Sequence, residues 1–105
     1  MITEDEINSV VDSVKANKMA TFSAAYQLGL GKNKLEDAKA VAIVNGIEGK
    51  NVAERDANLR LLLEDKYNNF ALLQEDYDEA RHNADLSELD LTRITLTIRL
   101  MELAK

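Results

Sequence analysis

The residues best suited to chemistry are few and scattered. His82 is the only histidine, and with Glu79 it forms Glu-x-x-His. That spacing sets a carboxylate and an imidazole one turn apart on a helix, the arrangement by which helical bundles hold a pair of metal ions. Such a centre takes two copies of the motif and two further inward carboxylates, whereas this sequence has one copy. The phase of the neighbouring apolar residues also turns Glu79 and His82 outward. His82 therefore reads as a solvated side chain within reach of Asp78 or Glu79. Neither a metal centre nor a Ser-His-Asp arrangement is expected around it. Gly29-Leu30-Gly31-Lys32 is rich in glycine, but it lacks the first glycine of a phosphate-binding loop and has no Ser or Thr after the lysine. It reads as a turn. Cysteine is absent, which removes thiolate ligands, thiol nucleophiles and disulfides together. No catalytic, cofactor-binding or metal-ligating residue is assigned, and no enzyme activity is expected.

The elements that could position any site are helices. The chain has no proline and four glycines in 105 residues, and proline is the residue that costs a helix interior most, about 3 kcal/mol. The length suits one domain, 1–105. The net charge is −6, and an acidic protein is a poor non-specific binder of phosphate backbones. Within 70–85 lie Glu75, Asp76, Asp78, Glu79 and Asp85 against one base, Arg81. This stretch reads as a solvated helix face, with a DNA-mimicking surface as the sharper alternative. No apolar run reaches the roughly 18–20 residues of a membrane span. The acidic N-terminal sequence lacks the order of a signal peptide. A cytoplasmic setting with no membrane contact is expected.

Thr3 and Glu6 have capping-box spacing ahead of Ile7, Val10, Val11 and Val14. Asn17-Lys18 is a candidate break. Helix resumes over Thr21–Leu28, with Phe22, Ala25 and Leu28 on one side, and Gly29 and Gly31 mark a turn. The pattern thus predicts N-terminal helices over 1–34 and a helical hairpin over 35–105. Its first arm is a helix from about Asn33 to Glu48 burying Leu35, Ala38 and Ala42, with Ile43 and Ile47 as further candidates. Gly49-Lys50-Asn51 is the corner, with Asn51 capping the next helix and Glu54 completing the box. Leu59, Leu62 and Leu63 form the apolar side of that helix, and Tyr67-Asn68-Asn69 marks a weak kink or a short break.

From Phe70 the periodicity is strict. Phe70, Leu73, Tyr77, Ala80, Ala84, Ser87, Leu91, Ile94, Ile98 and Met101 alternate in steps of three and four, a heptad seam. The fold class is therefore all-α: a helical hairpin or bundle with a long, coiled-coil-like C-terminal helix. Leu89 to Leu100 also alternates in a way that suits a β-strand, and that alternative stays open here. The seam leaves a second stripe, Leu86, Leu89, Leu96, Leu100 and Leu103, on the opposite side of the same helix. A helix apolar on both sides must be covered on both. Either the N-terminal helices cover the second stripe, or another copy of the chain does. Homo-oligomerisation through these leucines is the expectation.

Two resemblances bear on function. Ala24-Ala25-x-x-Leu28-Gly29-Leu30, followed by Leu35 and Ala38, resembles the helix-turn-helix of bacterial and phage repressors. It implies that Ala25 lets two helices approach and that Gly29 takes the turn. Lys32, Asn33, Lys34, Glu36 and Asp37 would then face DNA. The donors Lys32, Asn33, Lys34 and Lys39 are the candidate DNA contacts, although Glu36 and Asp37 would repel phosphate. Ile47-Glu48-Gly49-Lys50-Asn51-Val52-Ala53-Glu54-Arg55, with the long heptad helix ending Leu-Met-Glu-Leu, resembles small helical-hairpin proteins of bacteriophages and prophages over roughly 35–105. That resemblance implies a bacterial host cytoplasm and no chemistry. The combined reading is a non-enzymatic helical interaction protein acting on a protein partner, as a DNA-metabolism accessory or a host-protein inhibitor. The alternative is a helix-turn-helix regulator dimerised by its C-terminal helix.

Overall fold

A computed structural model describes residues 2–104. The chain is all-α and forms a helical hairpin with a long C-terminal helix. The helices are α1 (Glu4–Asn45), α2 (Val52–Leu62) and α3 (Glu64–Leu103), and no strand occurs among the described residues. Its Cα positions group into two compact units, one joining the chain up to Ala24 with that from Tyr77 onward, the other being Ala25–Asp76.

α1 begins as its sequence predicts. The Glu6 amide donates to Thr3 Oγ1 at 3.1 Å, and Glu4, Asp5 and Glu6 place acids at the positive end of the helix. Its length is the main correction to the sequence reading. The chain stays helical through Asn17-Lys18 and through Gly29-Leu30-Gly31, so the expected N-terminal helices over 1–34 and the helix starting near Asn33 are one element. The reason lies in what faces inward. Ile7, Val10, Val14, Asn17, Thr21, Ala24, Leu28, Gly31, Leu35, Ala38 and Ala42 are all buried or half-buried, and they alternate in steps of three and four without a gap. The polar and small members belong to this seam and do not interrupt it. Asn17 Nδ2 donates to the Asn83 carbonyl at 3.4 Å, and Thr21 Oγ1 lies 2.8 Å from the Asn17 carbonyl and 3.2 Å from that of Ala80. Gly31 is buried where α1 meets α3, and a Cβ there would overlap Leu73 Cδ1. Neither Gly29 nor Gly31 has a positive φ. Phe22 and Ala25, expected inside, are exposed, Phe22 to 81%.

The end of α1 is also displaced. The helix stops at Asn45, three residues early, because Gly46 takes the left-handed conformation with φ +91° and closes the last turn onto the Ile43 carbonyl. Ile43, a candidate core residue, is exposed, while Ile47 is half-buried. The corner spans 46–51 and is fastened by α2. Asn51 Oδ1 accepts from the Glu54 amide at 2.9 Å, Glu54 Oε2 accepts from the Lys50 amide at 2.7 Å, and Asn58 Nδ2 donates to the Glu48 carbonyl at 2.7 Å. Gly49, at φ +152°, lies so close to Arg55 that a Cβ would come within 2.7 Å of the Arg55 backbone nitrogen.

α2 buries no residue. Leu59 is half-buried, but Leu62, expected inside, is 67% exposed. The helix breaks at Leu63 and not at Tyr67-Asn68-Asn69. Leu63 accepts from the Lys66 and Tyr67 amides at 2.9 and 3.0 Å while its own amide donates to Leu59, so it both ends α2 and starts α3.

In α3 every seam residue from Phe70 to Ile98 is buried or half-buried, Ile94 to 2% exposure, and Met101 lies at the margin. The strand alternative for Leu89–Leu100 is overturned. The β-branched threonines there are accommodated helically, Thr92, Thr95 and Thr97 each donating to the carbonyl four residues back at 2.8–3.0 Å.

Candidate self-association surface

The surface with most potential lies on the outer side of α3 in the unit that includes Tyr77 onward. Within that unit the first part of α1 packs against the seam side of α3, burying Val14, Ser87 and Ile94. The buried Ser87 hydroxyl is satisfied by the Ala84 carbonyl at 2.8 Å. α1 therefore covers the seam side and leaves the other free. Leu86, Leu89, Leu96, Leu100 and Leu103 are exposed to 49, 65, 52, 67 and 83%. The N-terminal part of α1 does not cover them. Asp85, Glu88, Leu89 and Thr92 line a shallow depression on one side of the stripe. Glu88 is engaged with Lys18 of α1 at 3.4 Å, an exposed pair of the kind worth 0–1 kcal/mol. Arg93 also lines a cleft with Asp5, Glu6 and Ser9 of α1.

The candidate DNA contacts do not form one surface. Lys32, Asn33 and Lys34 are exposed between the buried Gly31 and Leu35, and successive helical residues point about 100° apart. Lys39 is half-buried, lies 3.5 Å from Glu36, and stands 5.3 Å from the centre of the Tyr67 ring. Hydrogen bonding to Tyr67 raises its pKa above the ordinary lysine value; desolvation opposes the shift and Glu36 adds to it. Arg60 lies over the same ring at 4.8 Å. The helix-turn-helix expectation loses its turn: residues 21–38 are continuous helix, and Ala25, expected where two helices approach, is exposed.

Glu79 and His82 are exposed on the side of α3 away from the seam, as are Glu75, Asp78 and Asp85, while Asp76 is exposed at the seam's edge. No group of three or more His, Asp or Glu side chains suited to a metal ion occurs among the described residues. Among the described residues no helix is long and apolar enough to cross a membrane. Sequence reasoning missed one cluster, the Lys39–Tyr67–Arg60 stack. Its only signal was Tyr67, one turn before Phe70 on the seam side.

Comparison with protein-family models, curated proteins and solved structures finds no match for this chain.

Proposed function

We propose that this chain is a non-enzymatic helical interaction protein that self-associates through the outer leucine stripe of α3. One observation carries the reading: five leucines at helical spacing stand at least half exposed or nearly so on a helix whose other side is already packed. Burying a leucine fully contributes about 1.5–3 kcal/mol, so covering a stripe of them supplies a strong drive to associate. A monomer would instead hold a contiguous apolar strip in water, as interaction surfaces do. The assembled form acts by binding a protein partner, as an accessory in DNA metabolism or an inhibitor of a host protein. The resemblance of 35–105 to small helical-hairpin proteins of bacteriophages and prophages supports that setting.

The test is Leu96→Glu, which places a carboxylate in the middle of the stripe. Light scattering should show a smaller species than the wild type while helical circular dichroism is retained. A wild-type chain that remains monomeric at high micromolar concentration overturns the reading.

A further inference from the structure

The polar residues beside the leucine stripe favour one orientation of the assembly. Taken as a seam of its own, the stripe has Leu86 and Leu100 with Arg93 between them in one row, and Leu89, Leu96 and Leu103 in the other. Asp85, Thr92 and Arg99 follow one edge, and Asp90, Thr97 and Ala104 follow the other, each set repeating every seven residues. When two such helices pair in parallel, unlike edges meet. Asp85 then faces Asp90 of the other copy, twice, and Arg93 faces its own counterpart across the centre. When they pair antiparallel, like edges meet. Asp85 then faces Arg99 of the other copy, twice, and Thr92 and Thr97 each meet their own counterparts near the two-fold axis. Leu86 packs on Leu103 and Leu89 on Leu100, again twice. Asp85 and Arg99 are exposed and form no ion pair within the chain among the described residues, so both are free for a partner. In the antiparallel pair Arg93 faces Leu96 of the other copy and is kept apart from its own counterpart.

We infer that the chain forms an antiparallel homodimer through the outer stripe of α3, with Asp85 of each copy paired to Arg99 of the other. The inference rests on the self-association proposed above and adds its direction. Like charges brought together across an interface disfavour a pairing, and opposite charges select it.

The experiment is sedimentation equilibrium on the full chain and three variants: Asp85→Arg, Arg99→Asp and the double exchange. All substituted positions are exposed on an intact helix, so folding should be unaffected. Each single variant should weaken the dimer by about tenfold or more, because it turns two attractive contacts into repulsive ones. The double exchange should restore the wild-type dissociation constant to within about threefold. Tightening of the dimer by Asp85→Arg would overturn the antiparallel inference, since relief of the Asp85–Asp90 clash is what a parallel pair predicts. So would a double variant as weak as the singles. A wild-type chain that is monomeric throughout overturns the self-association itself, which separates the two failures.

Discussion

The two compact units are stabilised differently. In the unit joining the start of α1 to the end of α3, burial dominates. Among the described residues Val14, Ser87 and Ile94 are buried, and the cross-helix polar contacts include Asn17 and Thr21 on backbone carbonyls and one exposed ion pair. In the unit 25–76, Leu35 and Ala42 are buried and Gly31 permits a close approach, but α2 contributes no buried residue. That helix is held by its cap, by the Asn58 bond to Glu48 and by Arg60 on Tyr67. A short helix can be positioned by directional contacts at its ends with little apolar burial, whereas two helices packed alone depend on their seam.

Three substitutions would sharpen or break that contrast. Ile94→Ala removes the most buried side chain and should cost about 2–5 kcal/mol, the range for truncating a packed Ile or Leu. Urea unfolding followed by circular dichroism measures it, and a loss below 1 kcal/mol would show that the seam is not what stabilises the first unit. Gly31→Val should cost about 1–3 kcal/mol through overpacking against Leu73. The control is Gly29→Ala, which meets nothing within 4 Å and should stabilise by about 0.5–1 kcal/mol. Equal effects at the two glycines would contradict the close approach assigned to Gly31. Asn51→Ala should cost about 0.5–2 kcal/mol, the value of a lost N-cap. If proteolysis showed no increase in cutting near 46–51, the cap would not be what holds α2.

The all-α fold, the α3 seam and the outer leucines were legible because large apolar residues carry them at helical spacing. The α1 seam was not. Its positions recur every seven residues at Ile7, Val14, Thr21, Leu28, Leu35 and Ala42 and at Val10, Asn17, Ala24, Gly31 and Ala38. Thr21, Asn17 and Gly31 look like breakers when residues are weighed by apolarity, and Phe22 pulled the inferred face one position off. The interval alone would have found it. The corner was located by Asn51 and Glu54, but Gly49 was the more obvious helix stop, and only the backbone conformation identifies Gly46 as the left-handed residue.

The bonds from Asn17 and Thr21 have a consequence for pairing. A seam that repeats every seven residues is degenerate: one helix could slip along the other by a heptad and meet a similar face. Thr21 reaches the Ala80 carbonyl at 3.2 Å where Ala80 and Ala84 are small enough to bring the backbones together. After a slip of seven residues Ala80 and Ala84 would be replaced by Leu73 and Tyr77 in one direction or by Ser87 and Leu91 in the other, and the larger side chains would force the backbones apart. The overfilled layer opposes that state, while the Thr21 hydroxyl keeps only its bond to the Asn17 carbonyl within α1. The small residues, with the polar contacts their close approach admits, thus act as a detent, holding one alignment among several that hydrophobicity alone would leave nearly equal.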